Sequence, residues 1–160
     1  MLNLFRKIFG KKKETDNPRI IVCDASACIY SLDRLKREDH IYIPVLHYSI
    51  LKKVASGKCI RNKSLEEDII AKNLAKDALK YINENKDWCT VVPKLENEVF
   101  FKEVNIFKVN NQTKSVLGLA CHFCKNGNQV YVYTQTKQIR DCVEYQKNDS
   151  MYVEYWKMAA

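Results

Sequence analysis

The run RIIVCD, residues 19–24, constrains the chain more than any other stretch. Four consecutive apolar residues without alternation predict a short strand buried on both faces, and such a strand needs packed layers above and below its sheet. It closes on Asp24, and residues 25–36 then turn helical, with Ile29, Leu32 and Leu35 at helical spacing. The same grammar recurs along the chain. Residues 41–44 (IYIP) form a second extended piece, Pro44 opens a helix over 45–55, and Gly57 closes it. Ser64 with Glu67 makes a capping box for a long helix reaching about Asn85. Its expected apolar face is Ile70, Leu74, Ala78, Tyr81 and Ile82, and Asp68 and Lys72 pair at i,i+4. Residues 88–92 (WCTVV) are a third extended run, stopped by Pro93, whereas residues 97–109 leave strand and helix start both open. Then come a helix from about Thr113, Gly127 as its stop, a strand over 129–134, a helix over 135–146, and an edge strand at 151–156. Strands alternating with helices predict an α/β fold, a three-layer sandwich around a central, mostly parallel sheet. One domain is expected over residues 19–160.

Residues 1–18 stand apart as an amphipathic basic tail and linker. Met1, Leu2, Phe5, Ile8 and Phe9 share one helical face, opposite Asn3, Arg6 and Lys7, and Lys11, Lys12 and Lys13 follow Gly10. Three destinations for residues 1–13 stay open: an anionic membrane surface, a protein partner, or the protein's own body. Residues 1–19 hold half of the chain's net charge of +8, a balance suited to phosphates or anionic lipid, or simply to solubility. No apolar run approaches the roughly 20 residues of a membrane span, and Arg6, Lys7 and Lys11 interrupt any secretion signal. The expected location is cytoplasmic, peripheral to a membrane if the tail engages lipid. Seven cysteines are an odd number, and Cys23, Cys28, Cys121 and Cys142 sit among apolar residues, which fits reduced thiols acting as small hydrophobes. Cys121 and Cys124 have C-x-x-C spacing inside a helical run, where neither a redox pair nor a zinc site is expected.

Sites in an open parallel sheet form beyond the carboxyl ends of its strands. There the sequence offers Asp24, Ser26, Thr113, Thr134 and Thr136, each also a plausible helix cap. No phosphate-binding glycine loop and no Ser-His-Asp arrangement is present.

The order of these motifs resembles the PIN-domain family of nucleases. The match spans about Arg19 to Glu144: IIVCDASACIYSL for the first acid, YIPVLHYSILKKV for the second element, and AKNLAKDALKYINE for the Ala-rich helix. The stretch NQTKSVLGLACHFCKNGNQVYVYTQTKQIR is similar to the long terminal signature. The resemblance implies metal-dependent cleavage of RNA, with three or four carboxylates holding Mg2+ or Mn2+. Carried over position by position, Asp24 matches the first acid. The second falls at Ile50, or at Ser49 if the register slips by one. The third falls at Thr113 and the fourth at Thr136, while Thr134 and Ser26 match the hydroxyl positions. One acid of four remains, so any Mg2+ or Mn2+ is expected to be absent or weakly held, by Asp24. Asp33, Glu98, Glu103 and Asp141 are the nearby acids weighed as replacements.

The leading expectation is therefore a degenerate PIN-like domain that binds RNA or another single-stranded nucleic acid without cutting it. Ser26, Lys114, Thr134, Lys137 and Arg140 would line its basic groove. Two alternatives stand beside it. One is a metal-dependent ribonuclease with residual activity. The other is a non-enzymatic scaffold that docks partners, a second copy of the chain among them.

Overall fold

A computed structural model describes residues 19–58, 64–93 and 109–155. The tail, residues 59–63, residues 94–108 (and with them Glu98, Glu103 and most of the ambiguous run) and residues 156–160 lie outside the described residues.

The elements in chain order are β1 (Ile20–Cys23), α1 (Ala25–Tyr30), α2 (Leu32–Leu35), β2 (Ile41–Pro44), α3 (Val45–Ala55) and α4 (Leu65–Glu84), then β3 (Cys89–Val92), α5 (Asn111–Lys125), β4 (Val130–Thr134), α6 (Lys137–Gln146) and β5 (Met151–Tyr155). All five strands are parallel, in the order β3-β2-β1-β4-β5. The expected sandwich is present, and every residue of β1, its central strand, is buried. The pleat divides β1 between two cores. Ile20 and Val22 join Val130, Val132 and Met151 beneath α5 and α6 (Val116, Leu117, Ala120, Ile139, Val143). Ile21 and Cys23 join Ile41, Ile43 and Cys89 beneath α1 to α4 (Ala27, Leu35, Leu51, Ala75, Ala78). Among the described residues no helix is long and apolar enough to cross a membrane.

The local signals act as their chemistry requires. The Ser64 hydroxyl accepts from the Glu67 N–H, and the Glu67 carboxylate accepts from the Ser64 N–H. Gly57 (φ 81°) and Gly127 (φ 84°) take the left-handed conformation just past α3 and α5. Each completes a paired C-terminal cap: Gly57 and Lys58 N–H reach the Val54 and Lys53 carbonyls, and Gly127 and Asn128 N–H reach those of Cys124 and Phe123. The cysteines described carry no disulfide. Cys121 points its thiol at Gln146 and Cys124 at the Ser150 carbonyl, so the C-x-x-C pair is divided between two contacts.

Two expectations change. The helix over 25–36 breaks at Ser31, whose N–H ends α1 on the Ala27 carbonyl and whose own carbonyl accepts from Arg34 and Leu35 at the start of α2. The buried stripe of α4 is Ala71, Ala75, Ala78 and Ile82 rather than one led by Ile70, which is 51% exposed. Alanines let α4 approach α1 and α3 closely, and the larger Leu74 and Tyr81 flank that seam half-buried. Ala75→Leu should overpack the seam and lower stability by about 1–3 kcal/mol. Ile70→Ala should stay within about 0.5 kcal/mol. Urea unfolding of the two variants checks the stripe, and the reverse ranking would refute it.

Candidate functional site

The carboxyl ends of β1 and β4 bring Asp24, Thr134 and the loop into α6 together. Asp24 is 1% exposed. Its Oδ1 accepts the Ala27 N–H at 2.8 Å, capping α1, and the Ser26 hydroxyl at 2.6 Å. Its Oδ2 accepts the Thr134 hydroxyl at 2.6 Å and the Thr136 hydroxyl at 3.2 Å. A carboxylate has about four lone-pair positions, and here each oxygen takes two donors. The donors are themselves held. The Thr136 N–H donates to Thr134 Oγ1 at 2.9 Å, and the Gln135 N–H donates to Ser26 Oγ at 3.0 Å. Capping and cluster chemistry coexist at Asp24. At Thr136 the hydroxyl turns to Asp24 and makes no cap bond to α6.

His47 is the member that sequence reasoning missed. It lies three residues after Pro44, in the first turn of α3, buried on the face shared with Leu51 and Ala55. The Ala25 N–H donates to its Nδ1 at 3.0 Å, and its Nε2–H donates to the Gln112 carbonyl at 2.8 Å. These bonds fix a neutral tautomer that ties α3 to the starts of α1 and α5. Burial pulls the His47 pKa below its ordinary 6.5, against the opposing pulls of the Asp24 charge and the Gln112 carbonyl. The signal available in the sequence was its place, just beyond the carboxyl end of β2 beside the other strand ends.

The other expected site residues divide. Ile50 stands in the wall of the groove above Asp24, where the resemblance puts an acid. Thr113, where the resemblance puts the third acid, is buried in the first turn of α5, which Asn110 caps, and its hydroxyl donates to Gln138 Oε1 at 3.0 Å. Thr134 is corrected from a ligand contact to a buried support, because it has no exposed surface. Lys137 lines the groove, with Ser26 and Thr136, whereas Lys114 is not among its lining residues. Arg140 spends its guanidinium on Asp141 at 2.9 Å and on the Tyr155 ring at 4.5 Å. Of the replacement acids, Asp141 is thus paired away and Asp33 faces a different cleft.

The groove has a volume of about 720 Å³. Lys58, Lys72 and Lys137 line it, together with the rings of Tyr30 and Tyr155 and the aliphatic side chains of Ile50, Val54, Leu65 and Ile69. Asp68 also reaches it, but the Asp24 charge beneath is sealed from solvent.

These residues do not fit a divalent-cation centre. Mg2+ takes about six oxygen ligands and favours charged ones, yet the Asp24 oxygens are filled by protein donors and both His47 nitrogens are engaged. Among the described residues no three His, Cys, Asp or Glu side chains gather where they could hold a metal.

Two outcomes follow. In a cluster of acids, neutralising one relieves repulsion and stabilises the metal-free protein. Here Asp24→Asn removes an acceptor from a ring of donors and should cost about 2 kcal/mol or more, read as a lowered Tm. A raised Tm would mean that other carboxylates crowd Asp24. The second outcome concerns acid. Because the folded His47 binds its proton less readily than the unfolded chain does, its contribution is complete above about pH 6.5 and is lost as pH falls toward the folded pKa. His40, also lowered by burial, acts in the same direction. Urea midpoints should therefore decline below about pH 6.5, less steeply in His47→Gln, and an unchanged slope would show that His47 is not the group responsible. No protein-family model matches the chain, and no curated protein matches it, so the chemistry of this site has to be read from its own geometry.

Proposed function

We propose that this chain is a PIN-like domain whose metal-holding cleft has become a hydrogen-bonded floor, and that it binds single-stranded RNA without cleaving it. The observation that carries the reading is a groove edged by Lys58, Lys72 and Lys137 above a carboxylate whose acceptor positions are all filled from within. The resemblance is supported by convergence. Thr134 and Thr136 lie 110 and 112 residues from Asp24 in the chain, and the family pattern pairs all three with its site. Hydrolysis would need an activated water, and neither the saturated Asp24 carboxylate nor a neutral His47 locked at both nitrogens is free to act as the base. Binding needs only cations to follow the phosphates and rings or apolar surface to take the bases. Tyr30, Tyr155 and the apolar wall supply the second.

That same wall favours a second reading, an interaction scaffold. Leu65 is 77% exposed and Ile69 51% exposed, and both would be covered by an amphipathic protein segment lying in the groove. Salt separates the two readings, because counterion release makes nucleic-acid binding fall steeply with ionic strength.

Anisotropy of a labelled single-stranded RNA at low salt should show binding, weakened by Lys137→Glu and by Lys58→Glu. Each change should flatten the slope of log affinity against log salt by about 0.7. No binding at low salt would end this reading in favour of the scaffold. RNA incubated with Mn2+ should stay intact. Cleavage that Asp24→Asn abolishes would instead establish the residual ribonuclease.

A further inference from the structure

The two faces of the sheet are covered unequally at its β4–β5 half. Met151 and Val153 of β5 pack into the core beneath α5 and α6. The alternate residues of these strands point the other way. Ile21 pairs in register with Tyr131 and Tyr131 with Tyr152, while Cys23 pairs with Tyr133 and Tyr133 with Glu154. On that second face α1 to α4 cover β1 to β3. The helices packed on β5 are α5 and α6, both on the first face, and Tyr152 is left 42% exposed. Its ring stacks on that of Tyr131, with centroids 5.0 Å apart and planes 19° from parallel. Arg19 lies on the same patch. Its guanidinium sits 3.9 Å from the centre of the Tyr131 ring and reaches the Tyr133 hydroxyl at 2.8 Å and Glu154 Oε1 at 2.7 Å.

We propose that this half-face is a docking surface for the chain's own residues 1–9, whose apolar stripe packs on the Tyr131–Tyr152 stack. Those residues lie outside the described ones. The inference is independent of what the groove binds, and it selects one of the three destinations that the sequence leaves open for the tail. Connection comes first. The tail joins the body at Arg19, and the Arg19 side chain already lies across the patch. The lengths agree as well. Nine residues of helix measure about 14 Å, and strands of five residues such as β4 and β5 measure about 17 Å. Residues 10–18 span up to about 30 Å when extended, enough to turn the segment back over the sheet. The chemistry matches too. Met1, Leu2, Phe5, Ile8 and Phe9 share one helical face, and phenylalanine rings gain from offset or edge contacts with tyrosine rings. Asn3, Arg6 and Lys7, on the opposite side, would stay in water. Seated there, the segment completes the outer layer of the sandwich over the strands that α1 to α4 leave open. A competitor has to outdo a covalently joined neighbour. A short linker sets an effective concentration on the order of millimolar, and so short a helix buries little apolar area in lipid.

The test uses the full chain with the photoreactive residue p-benzoylphenylalanine in place of Phe5. Irradiation and peptide mapping should find the crosslink on β4 or β5 of the same chain. A crosslink confined to any other part of the body, one formed only between chains, or none at all overturns the inference. Urea unfolding gives a second readout. Phe5→Ser and Tyr152→Ser should each raise the unfolding equilibrium constant about fivefold. Together they should raise it by clearly less than the product, because both remove the same contact. Phe5→Ser combined with Leu65→Ser, at the groove, should give the plain product. Product behaviour with Tyr152→Ser, or coupling to Leu65 in its place, overturns the inference. Tyr152 and Leu65 are both exposed, so neither change empties the core.

Discussion

The carboxylate of Asp24 holds the carboxyl end of this sheet together. A parallel sheet gathers its strand ends and helix starts at one edge, and the loops there need fixing without regular hydrogen bonding. A carboxylate is suited to that work because it offers several acceptor positions and binds donors more strongly than a neutral oxygen does. Asp24 spends them on its own helix, on the end of β4 and on the entry to α6. Helices α1 and α6 pack on opposite faces of the sheet, so one side chain joins the outer layers through the middle one. His47 repeats the device alongside, binding α1 and α5 from α3.

This arrangement decides what the groove above can do. A buried charge is tolerable only when it is fully hydrogen-bonded, and here the donors are hydroxyls and a backbone N–H in place of cations. The negative charge is therefore present but turned inward. The lining of the groove then sets Lys58, Lys72, Lys137 and Asp68 beside the aliphatic side chains of Ile50, Val54, Leu65 and Ile69. Such a lining joins three cationic side chains to apolar surface, and the Asp24 oxygens are already bonded within the protein.

Much of the fold was legible because its signals are local. The unbroken apolar run of β1, Pro44 entering α3, the Ser64–Glu67 box, and Gly57 and Gly127 each act within a few residues, and each did what its chemistry requires. The α4 stripe was misread because the wish to bury large side chains favoured Ile70, whereas close helix contact selects alanines. In the site, Asp24 and Thr136 were legible as partners only through the resemblance, since 112 residues separate them. Thr113 went elsewhere because Asn110 starts the helix earlier and turns the threonine toward Gln138. His47 carried no local mark, as its role depends on backbone groups brought from distant segments.

The hydroxyls around Asp24 hold the acid in place, because each donates to one of its two oxygens. Each threonine supplies a donor where a carboxylate would supply a charge and further acceptors. As donors accumulate, the remaining carboxylate gains partners and sinks into the protein, and every partner makes its charge less available. A carboxylate at position 136 would set a second negative charge where a hydroxyl now sits 3.2 Å from Oδ2. Adding a single acid at that position therefore opposes folding. Asp24 is thereby a structural anchor of the sheet's carboxyl edge, with 1% of its surface exposed.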